Sequence, residues 1–266
     1  MMIQPFDARL MERVDEMEKQ IEPYTKEMER IAFHNQRKVL AAFSKNKVSD
    51  FHLSGSTGYG YDDNGRDTLE QIYADTFGAE SCIVRNQIIS GTHAIAISLF
   101  GVLRPGDDLL YITGEPYDTL ASIVDGGEED TGSLKDYGID YQHIDLLEDG
   151  SVDFEEVEKQ ISDKTRVIGI QRSKGYSDRP SFTIAEIDEM VRRVRQMKED
   201  VIIFVDNCYG EFVETMEPTE LGVDLMAGSL IKNPGGGLVR TGGYVAGKEE
   251  LVERCAYPST LRYHLE

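Results

Sequence analysis

Apolar residues recur at helical spacing from residue 6 to about 47. Leu10, Val14, Met17 and Ile21 come first, then Met28, Ile31 and Phe33, with charges between them. The spacing predicts a helical arm, and Pro23 is expected to break it in two. Such an arm is either an oligomer contact or a helix packed on its own domain. From Asp50 the periodicity gives way to FHLSGSTGYGYDDNGRD, a glycine-rich, tyrosine-bearing loop of the kind that carries function or mobility. Thr68 to Phe77 reads as a helix leading to Gly78.

Beyond it the pattern alternates. Strands are expected at Cys82–Val84, Asp108–Thr113, Ile139–Ile144, Thr165–Ile170 and Val201–Val205. Helices are expected at Ala94–Leu103, Asp153–Ile161 and Thr183–Lys198, the last with Ile184, Ile187, Val191 and Val194 on one face. Strands such as VIIFV are continuously apolar, and helices separate them. Together these features indicate an α/β fold with a mostly parallel sheet covered on both faces. No internal repeat or low-complexity tract interrupts it.

Composition narrows the class. The chain has 266 residues, enough for one large domain or two small ones, and its 40% hydrophobic fraction is that of a globular protein. With 28 basic and 49 acidic residues it carries −21, which argues against nucleic acid or an anionic membrane as partner. Cys82, Cys208 and Cys255 share no C-x-x-C spacing, so neither a disulfide framework nor a zinc site is expected. The charged start has no signal-peptide core, and no apolar run approaches the ~20 residues of a membrane span. A soluble, cytoplasmic protein is the expectation.

In open α/β sheets ligands sit beyond the carboxyl ends of strands, near helix N-termini. Four features fall there. Ser90-Gly91-Thr92-His93 opens a helix and suits a phosphate, although a plain helix cap has the same composition. Asp206 ends the apolar strand VIIFV, as a functional carboxylate or a structural cap. Lys232 lies between an apolar pair and a Pro-Gly break in GSLIKNPGGG, where desolvation is expected to lower its pKa and free the amine for Schiff-base chemistry. Tyr117 follows the strand ending at Thr113 and could stack on a planar ligand or pack in the core. No G-x-G-x-x-G follows the first strand, which disfavours a nicotinamide site.

The order of these features is more informative than any one of them. With SGSTGYGYDDNGRDTLE, SGTHAI, VDNCYGEF and GSLIKNPGGG, the chain resembles fold type I enzymes that use pyridoxal 5′-phosphate (PLP). Within them it resembles the methionine gamma-lyase and cystathionine lyase branch, and most closely the aluminium-resistance protein group. The resemblance spans about residues 50–256. It implies a PLP-dependent transferase-like large domain with a mostly parallel, seven-stranded-type sheet, preceded by the helical arm at 1–49.

The resemblance also implies roles. Lys232 would bind PLP as a Schiff base and move protons at the substrate's Cα, Asp206 would pair with the pyridine nitrogen, and Tyr117 would stack on the ring. Cys208 would pack against the opposite face. Gly91, Thr92 and Ser229 would hold the phosphate. Gln171 would offer the ring a polar partner, with Arg172, Ser173 and Lys174 reachable from the same loop. Tyr59, Tyr61 and Arg66 match a segment that reaches the neighbouring subunit's site, which implies a homodimer or homotetramer with shared sites. His93 either touches the ring or is satisfied by backbone.

The implied activity is carbon–sulfur lysis, a β- or γ-elimination on a small sulfur amino acid such as cystathionine, methionine or cysteine. An aminotransferase, or a catalytically incomplete PLP-binding oligomer, are the alternatives that share this cradle. Only 34 residues follow Lys232. The C-terminal small domain of such enzymes is therefore expected to be missing, with 257–266 an atypical tail. Arg240 and Arg262 have no motif that would mark a carboxylate-binding arginine.

Overall fold

The structure, a computed structural model, describes residues 7–56, 63–126 and 132–257. Helix α1 (Ala8–Lys45) is capped by Asp7, whose carboxylate accepts the Arg9 N–H at 2.8 Å. It runs unbroken through Pro23, contrary to the expected division. Proline removes one N–H and leaves the carbonyl of residue 19 without its intrahelical donor. Lys19 and its neighbours are exposed, so water can satisfy that carbonyl. The C-terminal half of α1 packs on its own domain: Ala42 is buried, and Asn35 Nδ2 donates to the Phe212 and Glu214 carbonyls at 3.0 and 2.9 Å. Its N-terminal half leaves Leu10, Val14, Met17, Ile21, Tyr24 and Met28 exposed. Helix α2 (Asn64–Phe77) begins inside the expected loop because Asp63 caps it, and it ends at left-handed Gly78.

Strands and helices then alternate as far as β5: β1 (Ser81–Arg85), α3 (Gly91–Val102), β2 (Asp108–Tyr111), α4 (Asp118–Val124), β3 (Asp140–His143), α5 (Phe154–Gln160), β4 (Thr165–Gln171), α6 (Ile184–Met197) and β5 (Ile202–Asp206). After it β6 (Leu225–Ser229) and β7 (Gly243–Gly247) follow without an α-helix between them, and α7 (Glu249–Ala256) comes last. They build one seven-stranded sheet of order β1-β7-β6-β5-β4-β2-β3. Strand β7 runs antiparallel to both β1 and β6, and all other pairs are parallel. Strands β6 (LMAGS) and β7 (GYVAG) carry too many small residues to stand out as strands in the sequence.

The continuous apolar run of β5 is explained by its two neighbours. Ile202 and Phe204 enter one core layer with Leu99, Tyr111 and Val245, whereas Ile203 and Val205 enter the other with Phe77, Ile168 and Tyr244. Each such side chain contributes roughly 1.5–3 kcal/mol by leaving water. Both layers would suffer if β5 slipped by one residue. The register therefore places Gln171 beside Asp206 at the carboxyl ends of β4 and β5, and Asp206 beside Ala227, two residues before the carboxyl end of β6.

Candidate active site

Those three strand ends floor a cavity of about 440 Å³. Asp206 closes β5 and is buried, its Oδ1 accepting the Cys208 N–H at 3.1 Å. Burial pushes its carboxyl up, against the pull of the Cys208 N–H and thiol and of the Arg179 and Lys232 charges. A carboxylate held this way retains lone pairs for a donor in the cavity. Gln171 closes β4 and ties two loops together. Its Oε1 accepts the Tyr117 N–H at 2.7 Å and its Nε2 donates to the Ser173 carbonyl at 3.0 Å. Tyr117 thereby sits fixed at the start of α4, with its ring centroid 5.8 Å from that of Tyr176.

The opposite wall is the start of α3. Ser90 Oγ accepts the His93 N–H at 3.1 Å, which leaves the Gly91 and Thr92 N–H groups in the first turn without intrahelical acceptors. Space is tight: a Cβ on Gly91 would lie 2.8 Å from Cys208 Sγ and 3.2 Å from Ser229 Cβ. Burial pushes the Cys208 thiol well above its usual range, so it stays protonated and packs. Thr92 Oγ1 shares a hydrogen bond with Thr119 Oγ1 at 3.1 Å, and Ser229 Oγ accepts the Ile231 N–H at 3.3 Å.

Lys232 reaches the same cavity from the turn after β6. Its Nζ donates to Tyr209 Oη and lies 4.0 Å from the centroid of that ring. Burial, the largest single influence, disfavours the ammonium, but the hydrogen bond and charge of Tyr209 together with Cys208 and Tyr117 outweigh it, so the pKa moves up. This corrects the expectation of a lowered pKa: desolvation is present but partial, and a phenol oxygen faces the charge.

Gly91, Thr92, Tyr117, Gln171, Asp206, Cys208, Ser229 and Lys232, eight of the sequence candidates, thus line one cavity. Arg66 does not line it; it lies in the first turn of α2 with Nε 2.9 Å from Asp67 Oδ1. Tyr59 and Tyr61 lie outside the described residues. His93 is not part of the lining, and its Nδ1 accepts the Ile89 N–H at 3.3 Å. Ser173 and Lys174 do face the cavity, whereas Arg172 turns away. It donates to Asn207 Oδ1 at 2.9 Å, to the Gly210 carbonyl at 2.8 Å and to Glu214 Oε2 at 2.9 Å.

That guanidinium anchors a buried polar layer beneath the site, in which Asn207 Nδ2 donates to Glu217 Oε2 at 3.0 Å and Tyr244 Oη donates to Glu211 Oε1 at 2.9 Å. Sequence reasoning missed Tyr209, Tyr176 and Arg179. The Arg179 guanidinium donates to the Gln171 carbonyl at 2.9 Å and pins the loop that carries Tyr176. Only the acidic and aromatic texture of VDNCYGEF and KGYSDRP hinted at them. Among the described residues no group of metal-ligating side chains occurs, and no helix is long and apolar enough to cross a membrane.

A mostly parallel sheet with a lysine, a strand-end carboxylate and a capped helix N-terminus around one cavity defines the PLP-dependent transferase-like class, and solved structures of that class share the fold. The family model for methionine gamma-lyase matches residues 10–261, and the chain belongs to that family of PLP-dependent carbon–sulfur lyases. It is 61% identical over 246 residues to the uncharacterized protein YnbB of Bacillus subtilis, covering 92% of this chain and 58% of that one. A Listeria monocytogenes structure, provisionally described as a cystathionine beta-lyase involved in aluminium resistance, superposes with TM-score 0.91 at 60% identity, over 93% of this chain and 61% of that one. L-methionine gamma-lyase of Pseudomonas putida is 28% identical over 186 residues, covering 70% of this chain and 41% of that protein. The chain thus spans about three-fifths of the length of its most similar relatives among these.

Proposed function

We propose that this chain is the cofactor-binding part of a PLP-dependent carbon–sulfur lyase, acting by β- or γ-elimination on a sulfur amino acid such as cystathionine, methionine or cysteine. One observation carries the reading: Lys232, Asp206 and Tyr117 converge on a single cavity beside the start of α3. The residues fit the cofactor. Asp206, buried with lone pairs to spare, suits a protonated pyridine nitrogen; the Tyr117 ring suits a stacking face. Gly91, Thr92 and Ser229 suit the phosphate through N–H groups and hydroxyls, which matters in a chain of net charge −21.

Bound PLP supplies an electron sink for negative charge at the substrate's Cα. Asp206 would hold the ring nitrogen in its protonated form. Lys232 would take the Cα proton and return it, after giving up its own excess proton. Gln171 fixes Tyr117 through the Tyr117 N–H, so its part is positioning. We further propose a homo-oligomer. The stripe Leu10, Val14, Met17, Ile21, Tyr24 and Met28 steps by four and three residues, continues into the buried side of α1 at Asn35 and Ala42, and suits a second copy of the chain.

The test adds PLP, then a sulfur amino acid. A visible absorbance band that borohydride abolishes and Lys232→Ala lacks is expected, followed by release of thiol, ammonia and a keto acid. No band would sink the PLP reading. Amino transfer to a keto acid without thiol would replace the lyase by an aminotransferase.

A further inference from the structure

Tyr209 has no part in the roles assigned so far, yet the fold holds it in an uncommon way. Its φ is +68°, a left-handed conformation that a bulky side chain rarely adopts without compensation from its surroundings. Three residues on, Phe212 has φ +63°. The compensation is visible in the turn between them. Asn233 Nδ2 donates to the carbonyls of Tyr209 at 3.1 Å and Glu211 at 2.9 Å, and the Gly210 N–H donates to the Asn207 carbonyl at 2.8 Å. Asn233 directly follows Lys232. The turn that carries the lysine and the turn that carries the tyrosine are therefore clamped together, with Tyr209 Oη against Lys232 Nζ and the ring centroid 4.0 Å from it.

We propose that Tyr209 is a positioning residue for Lys232: its phenol oxygen and ring face hold the ammonium at the cavity rim and set how readily the free amine becomes available to a carbonyl compound. This deepens the reading of Lys232 as the reactive amine and rests on it. The titratable groups that share the cavity with Nζ are Asp206 at the end of β5, Cys208 and Tyr209 just beyond it, Tyr117 at α4, and Lys174 and Tyr176 from the loop after β4. Of these, Tyr209 alone accepts a hydrogen bond from the amine among the described residues. The ammonium must leave it and shed a proton to solvent before nitrogen can attack. The pair thus works as a latch, in which the strained backbone of Tyr209 fixes the catch and Asn233 fixes the distance between the two turns.

The experiment is competitive acetylation of the cofactor-free protein with limiting acetic anhydride across a pH series, read by peptide mass spectrometry. The remaining lysines serve as internal standards. In Tyr209→Phe the ring stays and the oxygen goes. Acetylation of Lys232 near neutral pH is expected to rise roughly three- to tenfold, as for loss of one partly solvated hydrogen bond, with its pH midpoint displaced downward. The other lysines should not change. An unchanged rate and midpoint in a folded Tyr209→Phe protein overturns the proposal. If that variant does not fold by circular dichroism, Asn233→Ala takes its place. Releasing the clamp should accelerate Lys232 in the same direction, and no acceleration overturns the proposal equally. If PLP gives no visible band while the acetylation difference persists, the lyase reading fails and the latch stands.

Discussion

Glu211→Gln should stabilise the protein selectively at alkaline pH. Glu211 is fully buried, its Oε1 accepts from Tyr244 Oη at 2.9 Å, and its Oε2 meets no donor among the described residues. Burial, with the Glu217 and Asp206 charges adding to it, pushes the carboxyl from its usual 4.5 to about 8, while its own N–H and Tyr244 pull the other way. The folded state therefore holds a proton that the unfolded chain releases across that window. This contribution to stability is fully present below the unfolded value and is lost as pH rises through the folded one. At about 1.4 kcal/mol per pH unit, the gap amounts to about 5 kcal/mol. Neighbouring carboxyls share such a proton, so that figure is a ceiling, and about 2 kcal/mol or more is expected. Glutamine keeps the acceptor for Tyr244 and carries no charge. Urea denaturation at constant ionic strength, followed by circular dichroism, should give variant and wild type within about 1 kcal/mol of each other near pH 5. The variant should pull ahead as pH climbs toward 9. Parallel stability curves across that range would refute the reasoning.

Gly91→Ala should cost about 1–3 kcal/mol, because its Cβ would stand 2.8 Å from Cys208 Sγ, and adding Cys208→Ala should recover much of the loss. Calorimetry of the single and double variants measures this, and a Gly91→Ala protein that melts like wild type contradicts it. Met17→Lys with Ile21→Lys changes only exposed side chains, so the fold should shift by less than about 0.5 kcal/mol. Sedimentation velocity should nevertheless show a smaller assembly, and an unaltered one would remove α1 from the subunit contact.

Much of the fold and site could be read from residue patterns alone. The run VIIFV announced a strand buried on both faces, and the structure divides its side chains between two core layers. Asp206, Lys232, Tyr117 and the Ser90-Gly91-Thr92 turn were marked by their places at element ends, and one cavity gathers them. Three kinds of information escaped. Strands β6 and β7 carry Ala227, Gly228, Ser229, Gly243, Ala246 and Gly247, small residues whose strand character comes from their neighbours in the sheet more than from propensity. The continuity of α1 through Pro23 depends on solvent reaching a carbonyl, which spacing does not encode. The direction of the Lys232 pKa depends on a phenol 23 residues away in sequence, so the local turn alone pointed the wrong way.

The position of β7 sets an order of assembly. β1, an edge strand, has β7 as its only partner in the sheet among the described residues, pairing Ser81 with Gly247 and Arg85 with Gly243. β7 in turn joins the sheet beside β6, the strand that leads to Lys232. On a growing chain the parallel strands from β2 to β6 can gather first, while β1 waits unpaired for a partner made more than 150 residues later. Such long-range closure is slow and leaves a strand edge open to other chains meanwhile. The antiparallel strand is therefore the step that ends this exposure, drawing the first-made strand into a sheet that already holds the lysine turn.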